Sequence, residues 1–558
     1  MSSGASHHPG LAFMKSIIAL LLLTAALALS SWGSPSTTEA NPDDYWSGWR
    51  ARQRAELAAL PKPPEPPDGV GSPVDRFLAA DWTKAKLSPP DPTDDAAFAR
   101  RVYLDVIGLL PTTEQLDQFI NDARPDKRTR LVDALLADKQ GYAEHWMTFW
   151  NDLLRNDEQT NIDGLRKPIT PWLYQSLLDN KPIDLFVAEL LNPGQDGPDG
   201  YLKGVNWRGQ VNASQTPPVQ AAQNVSQVFL ASSIKCASCH NSFINHWKLV
   251  ESYGMASFFA QQNLEMHRCD KPTGKIVPAK FLFEGLGEVP ADADLQSRHR
   301  AVAQMVTRPK NPRFAKAMVN RFWKRLIGRG LSEPVDDFDD HPPQSPLLDW
   351  LAYDFMSHDY DAKHTLRVIL LSKIYQLPAV HDQPTKGKEM PLPLGPVERR
   401  LTSEQFLDGI SQVTGYWPKT EAMNVGVDNP HIRAWRHRKP TALAVALGRP
   451  NREQVCTVRN EESTVLQSLE LVNGKAMAER LQEGSKLLLA SDLGKEENSA
   501  KVIQTLYRRA LVRLPNEEEI SMARPLLRSP KDKPVPRQEG WEDFLWTLFL
   551  SPEFQFVR

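Results

Sequence analysis

Apolar residues return at three- and four-residue intervals in one stretch after another of this 558-residue chain, and prolines stand between the stretches. Val74, Phe77 and Leu78 have helical spacing. Phe98, Val102 and Ile107 repeat it behind a cap at Asp94 or Asp95. Leu116, Phe119 and Ile120 follow Thr112, which with Gln115 makes a capping box. A helix with one apolar stripe must bury that stripe against another element. A chain built of such segments is expected to be mainly α and multi-helical, with little sheet. Its 45 prolines add long loops and frequent helix stops.

The pattern predicts further helices over 127–136, 142–154, 172–191, 219–234 and 249–262. In the second half it predicts helices over 314–327, 347–356, 365–375, 403–413, 463–482, 499–512 and 541–550. A strand or two is expected within 443–458, and loop with a few extended residues over 274–294. The aromatic stretch Tyr142–Leu154 carries His145, Trp146, Phe149 and Trp150 at helical spacing, which reads as core. Arg100-Arg101 before Pro111 and Arg508-Arg509 before Pro515 both read as helix, break, proline, helix. This is a structural echo between the two ends of the chain.

Lys15 precedes an apolar run from Ile17 to Leu29, and small residues follow at Ser30, Ser31 and Gly33. A run of about thirteen residues suits the core of a secretory signal and falls short of the ~20 that span a bilayer. The expected organisation is a signal peptide over 1–33, a proline-rich lead-in and linker over 34–72, one region over 73–298 and a second over 299–558. The expected destination is export to the periplasm, with an uncleaved signal acting as an anchor as the alternative. No later segment is apolar enough to span a membrane. A formal net charge of −2 gives no global field toward nucleic acid.

Four cysteines are far too few for a disulfide scaffold in a chain this long. Two of them sit in Cys236-Ala237-Ser238-Cys239-His240, the spacing by which c-type haem is attached. The thiols of Cys236 and Cys239 would hold the porphyrin and His240 would ligate the iron. Met255 and His267 are the leading distal candidates, with Met266 and His246 nearby. Cys269 keeps other chemistries open. With Cys236, Cys239 and His240 or His267 it makes a Cys3His donor set for zinc, and with either cysteine of the pair it allows a disulfide. Cys236 with Cys239 allows another, and free buried thiols are the last alternative.

Other signals are weaker. Arg155-Asn156-Asp157-Glu158 reads as a solvated loop. Asp336, Asp337, Asp339, Asp340 and His341 form an acidic turn without the glycine and terminal glutamate of a calcium loop. His431, Arg433, Arg436, His437 and Arg438 make a basic surface run, with sulfate or carboxylate groups as the ligands it would suit. No serine-nucleophile elbow, phosphate-binding glycine loop or paired-histidine zinc motif occurs, so no catalytic residue is named.

Several stretches resemble a known pair of families. Asp75-Arg76-Phe77, Arg100 to Asp105, Gly108 to Thr112, Tyr142, Trp146 and Trp150, then Val228-Phe229-Leu230, Cys236 to His240 and Tyr253-Gly254, resemble the planctomycete-type cytochrome C proteins of domain-of-unknown-function family 1549. Val319 to Trp323, Gly328 to Leu331, Asp336-Asp337-Phe338, Leu466 to Asn473 and Ser551 to Phe554 resemble the partner family 1553. Many relatives have Asp and His after the cysteine motif, where this chain has Asn241 and Ser242. The resemblance implies export and an association with polysaccharide breakdown; with the cysteine motif, the expected function is an exported haem c-type protein with a periplasmic redox partner, taking part in electron transfer or a haem-linked redox step. The alternative is a non-redox exported protein that binds or processes a glycan substrate, its cysteines in a disulfide or zinc site.

Overall fold

Side-chain caps start the helices where the sequence places them. Asp94 accepts from the Ala97 amide and begins the helix Asp95–Val106. Thr112 and Gln115 form a reciprocal capping box at Thr113–Ile120, and Thr402 with Gln405 does the same at Ser403–Thr414. The computed structural model describes residues 42–158, 164–165, 167–207, 211–381, 394–426, 431–460, 462–527 and 537–558. The expected signal segment and the first part of the lead-in lie outside them. Among the described residues the protein is mainly helical, and its strands form three two-stranded antiparallel pairs. No described helix is long and apolar enough to cross a membrane.

Several expected segments differ, among them 172–191, which is two helices, Thr170–Leu178 and Ile183–Leu191. The 443–458 stretch holds a short helix, Ala442–Ala446, in place of strands. The long helix expected over 463–482 is two, Val465–Asn473 and Lys475–Ala490, parted at Gly474. A Cβ on Gly474 would come 2.2 Å from the Glu470 carbonyl oxygen. The helix expected over 249–262 stops at Ala256 and passes into a hairpin, Leu264–Arg268 paired with Lys271–Val277.

Residues 53–558 form one compact unit, so the two halves seen in the sequence are not separate bodies. Leu104 and Leu110 from the first half are buried in the apolar cluster of the second, with Phe406, Ile410, Leu506 and Phe554. Polar groups make the same join. Arg399 donates twice to Asp105 Oδ1 at 2.9 Å and once to Oδ2 at 2.8 Å, and the Tyr375 hydroxyl donates to Oδ2 at 2.8 Å. Arg100 reaches the carbonyls of Phe554 and Phe556, and Arg101 those of Tyr375, Leu377 and Arg558. The paired arginines of the first half thus tie down the C-terminal strand. The echo is structural too: Asp95–Val106 leads to Thr113–Ile120 as Ser499–Leu511 leads to Glu517–Leu527, and Asp117 of one pair meets Arg508 of the other.

The aromatic helix Lys139–Leu154 is core, with Trp146 and Trp150 each 1% exposed. The Arg155–Asp157 stretch is not a solvated loop. Asp157 is buried beside Arg452, and Asn156 hydrogen-bonds Asn151, Thr170 and the Ile169 amide. The middle of the expected basic surface run is buried as well, while His431 and Arg438 at its ends are exposed. Arg433 pairs with Asp408 at 2.8 Å and with Glu144 at 3.5 Å, and Arg436 and His437 are enclosed.

Two tests follow. Asp105→Asn strands a buried guanidinium, so it is expected to destabilise the unit by about 3–5 kcal/mol, against about 1 for Tyr375→Phe. Denaturant melts read both. Burial, as the largest cause, lowers His299 and His437 from 6.5 to about 4, with neighbouring arginines assisting at His437. Below pH 6.5 the unfolded chain takes up protons that the folded one refuses, so stability falls as pH drops from 6.5 to 4. His437→Gln should flatten that slope if it folds, and an unchanged slope would remove His437 from the account.

Candidate functional site

The cysteine motif is positioned by the helix Pro217–Leu230. That helix ends at Ala231, whose φ of 47° turns the chain out. Its last carbonyls do not point to solvent. Arg313 donates from Nε to the Leu230 oxygen at 3.1 Å and from Nη2 to the Ala231 oxygen at 3.4 Å, and the Phe338 amide also donates to Ala231 at 2.8 Å. A cation at a helix C-terminus answers both the orphan carbonyls and the dipole.

Arg313 is in turn held by Asp339 at 2.6 Å. The second Asp339 oxygen accepts from the Trp247 indole at 2.7 Å. The acidic turn is therefore structural. Asp336 accepts from Gln227 and Thr457, and Asp337 accepts the amides of Asp339 and Asp340. Residues of the second half brace the segment that carries the cysteines of the first.

The motif itself forms a single tight turn, Cys236–Ser238, and the His240 amide closes on the Cys236 carbonyl at 3.4 Å. The turn holds the backbones of Cys236, Cys239 and His240 close together. Ser238 is the buried pin: its hydroxyl donates to the Lys235 carbonyl and accepts from Gln223, each at 2.6 Å. Both thiols are half-buried.

His240 Nδ1 lies 2.7 Å from the Asn241 carbonyl oxygen. A carbonyl only accepts, so Nδ1 carries a proton, and in the neutral ring Nε2 keeps its lone pair for a ligand. The ring packs on Phe243 with centroids 4.4 Å apart. Phe243 and its neighbour Ile244 are exposed and apolar.

The other residues singled out in the sequence take different places. The hairpin brings Cys269 to the motif, its amide donating to the Cys239 carbonyl at 2.7 Å. Cys239 Sγ also lies 3.7 Å from Asn212 Oδ1. Cys269 sits in the hairpin turn with φ 53° and an exposed side chain. Met255 is wholly buried in the Leu249–Ala256 helix. Met266 packs on the small apolar cluster of Leu249, Tyr253 and Val277. His267 is half-buried on the first hairpin strand, and His246 is stacked on Trp247.

The candidate zinc set of Cys236, Cys239 and Cys269 with His240 or His267 is not drawn together. Among the described residues the group of three His, Cys, Asp or Glu ligand atoms mutually within 4.8 Å is Asp354, His358 and His364. Sequence reasoning missed the Arg313–Asp339 brace, because neither residue carries a motif that marks its partner.

Fold and site together define a mainly helical protein that presents a Cys-x-x-Cys-His turn from a core shared by its two halves. The chain matches the family model described as PSCyt2, protein of unknown function (DUF1549), over residues 73–263. It matches PSD1, protein of unknown function (DUF1553), over 298–527. It belongs to the proteins that carry these two regions in this order. No curated protein and no solved structure matches it.

Burial and the Asp152 charge push the Cys456 thiol up to about 11, burial being the larger cause. Thiolate is the reactive form. Alkylation of unliganded protein at pH 8 should modify exposed Cys269 at least about ten times faster than Cys456, as read by peptide mass spectrometry. Equal rates would contradict this arrangement.

Proposed function

We propose that the protein is an exported haem c-type protein, with Cys236 and Cys239 as the attachment thiols and His240 as the axial ligand. The observation that supports this reading most is the His240 tautomer. Its Nδ1 proton is committed to the Asn241 carbonyl, so Nε2 is the nitrogen offered to a metal. The half-buried thiols on the same turn and the exposed apolar Phe243 and Ile244 suit the attachment of a flat apolar group. Haem bound there would supply one-electron chemistry. The chain's part is to hold the two thiols, fix the imidazole and brace the turn through Arg313 and Asp339.

Met255 has no solvent-facing surface, so service as a distal ligand would require the helix to repack. Half-buried His267 would need less rearrangement. A connection with polysaccharide breakdown and a periplasmic redox partner belongs to the same proposal.

A second reading is favoured by the bond from Cys269 to Cys239. The bond brings the Cys269 backbone against that of Cys239, and closeness of the two backbones is the first requirement of a disulfide. In this reading the protein is a non-redox exported protein directed at glycans, and the cysteines staple the hairpin to the turn.

Protein made in a host with haem c maturation is expected to carry covalent haem in a pyridine haemochrome assay. Cys236→Ala and Cys239→Ala should each lower its yield sharply, and His240→Ala should alter the Soret band. Met255→Leu should leave the spectrum unchanged. Absence of covalent haem in that host would sink the first reading. A Cys239–Cys269 linked peptide in the same sample would then support the second.

A further inference from the structure

A cavity of about 110 Å³ opens between the aromatic helix Lys139–Leu154, the C-terminal turns of Pro312–Ile327, and the segments 399–405 and 456–460. Six cationic side chains line it, Arg321, Lys324, Arg325, Arg399, Arg400 and Arg459, against one carboxylate, Asp152. Their charges are unevenly balanced. Lys324 is paired with Glu333, Arg399 with Asp105, and Arg459 with both Asp152 and Glu404.

Arg325 makes no hydrogen bond or ion pair among the described residues. Arg321 is 3% exposed and spends Nε and Nη2 on the Val228 and Gln227 carbonyls, and its buried Nη1 has no partner. A charge taken from water without a counter-charge is costly, and a planar guanidinium fork is shaped for a two-oxygen anion. The first turn of the twelve-residue helix Ser403–Thr414 also faces the cavity through Thr402 and Gln405. Its dipole adds to the positive field.

Burial, first, and the positive charges of Arg399 and Arg459 lower Arg325 to about 10. That is the direction expected of a cation held among cations. Both halves of the chain contribute walls, so the site exists only in the joined unit.

We infer that this cavity is a binding site for a small oxyanion-bearing ligand, whose carboxylate, sulfate or phosphate group is gripped by Arg325 within the positive field of the surrounding cations. The site is independent of the cysteine turn and stands whether or not haem is attached there.

The test is thermal unfolding of the full chain at constant ionic strength, with sodium chloride exchanged stepwise for sodium sulfate, sodium phosphate or sodium D-glucuronate. Screening is thereby held fixed. At least one anion should raise the melting temperature saturably. Sulfate or phosphate acting alone identifies a tetrahedral group, and glucuronate acting alone identifies a carboxylate. Arg325→Gln should weaken that response about tenfold or more, as for loss of a charged hydrogen-bonding partner, and Arg325→Lys should weaken it less. Arg124→Gln, on an exposed arginine paired with Asp122, should respond like the parent.

Without anion at low salt, Arg325→Gln should melt no lower than the parent, because no bond is lost and a repulsion is relieved. No saturable response in the parent, an equal response in Arg325→Gln, or loss of folding in Arg325→Gln without anion would each overturn the proposal. The last outcome would make Arg325 a structural residue.

Discussion

The buried carboxylate of Asp105 is the constraint on which the joined unit depends. It is 2% exposed, and its two oxygens take three contacts from Arg399 and one from Tyr375. The arginine and the tyrosine both come from the second half of the chain. Taking such charges from water costs several kcal/mol each, and only close, multiply bonded geometry offsets it. The pair therefore tolerates little sliding between the halves. It sets register where apolar contact alone, which is non-directional, would not. Arg459 repeats the device by bridging Asp152 of the first half and Glu404 of the second.

The same logic reaches the cysteine turn. Arg313 and Asp339 belong to the second half, yet they close the end of the helix that delivers Cys236, Cys239 and His240. A turn with few buried apolar contacts of its own is held in shape by a charged brace anchored in a rigid helix. The arginine-lined cavity is the counterpart in which the balance is left open. Lys324, Arg399 and Arg459 are matched by carboxylates, and Arg325 is matched by none at contact distance among the described residues. That surplus is what separates a candidate binding site from a structural ion-pair network.

Helical spacing and capping residues were legible because they act within a few residues of one another. Thr112 with Gln115 and the periodic aromatics of Tyr142–Leu154 need only their own turn to declare themselves. The split at Gly474 was readable in principle, since glycine is a weak helix residue. The hairpin of 264–277 was harder. Its strands are short, and their partners are chosen by packing on the Leu249–Ala256 helix. Charge was misread most. Arg433, Asp157 and the acidic turn carry the composition of surface, and pairing across hundreds of residues buries or braces them.

By itself the sequence determined the mainly helical character, the placement of most helices, the two family regions in their order, and the Cys-x-x-Cys-His turn as the chemically marked segment. These rest on periodicity, caps and spacing, which are local. Tertiary structure alone decided that the two regions share one core, that Met255 is enclosed while Cys269 meets Cys239, and that six cations converge on one cavity. The physical reason is that burial and charge pairing depend on distance in space, and Asp105 lies 294 positions from the arginine that neutralises it.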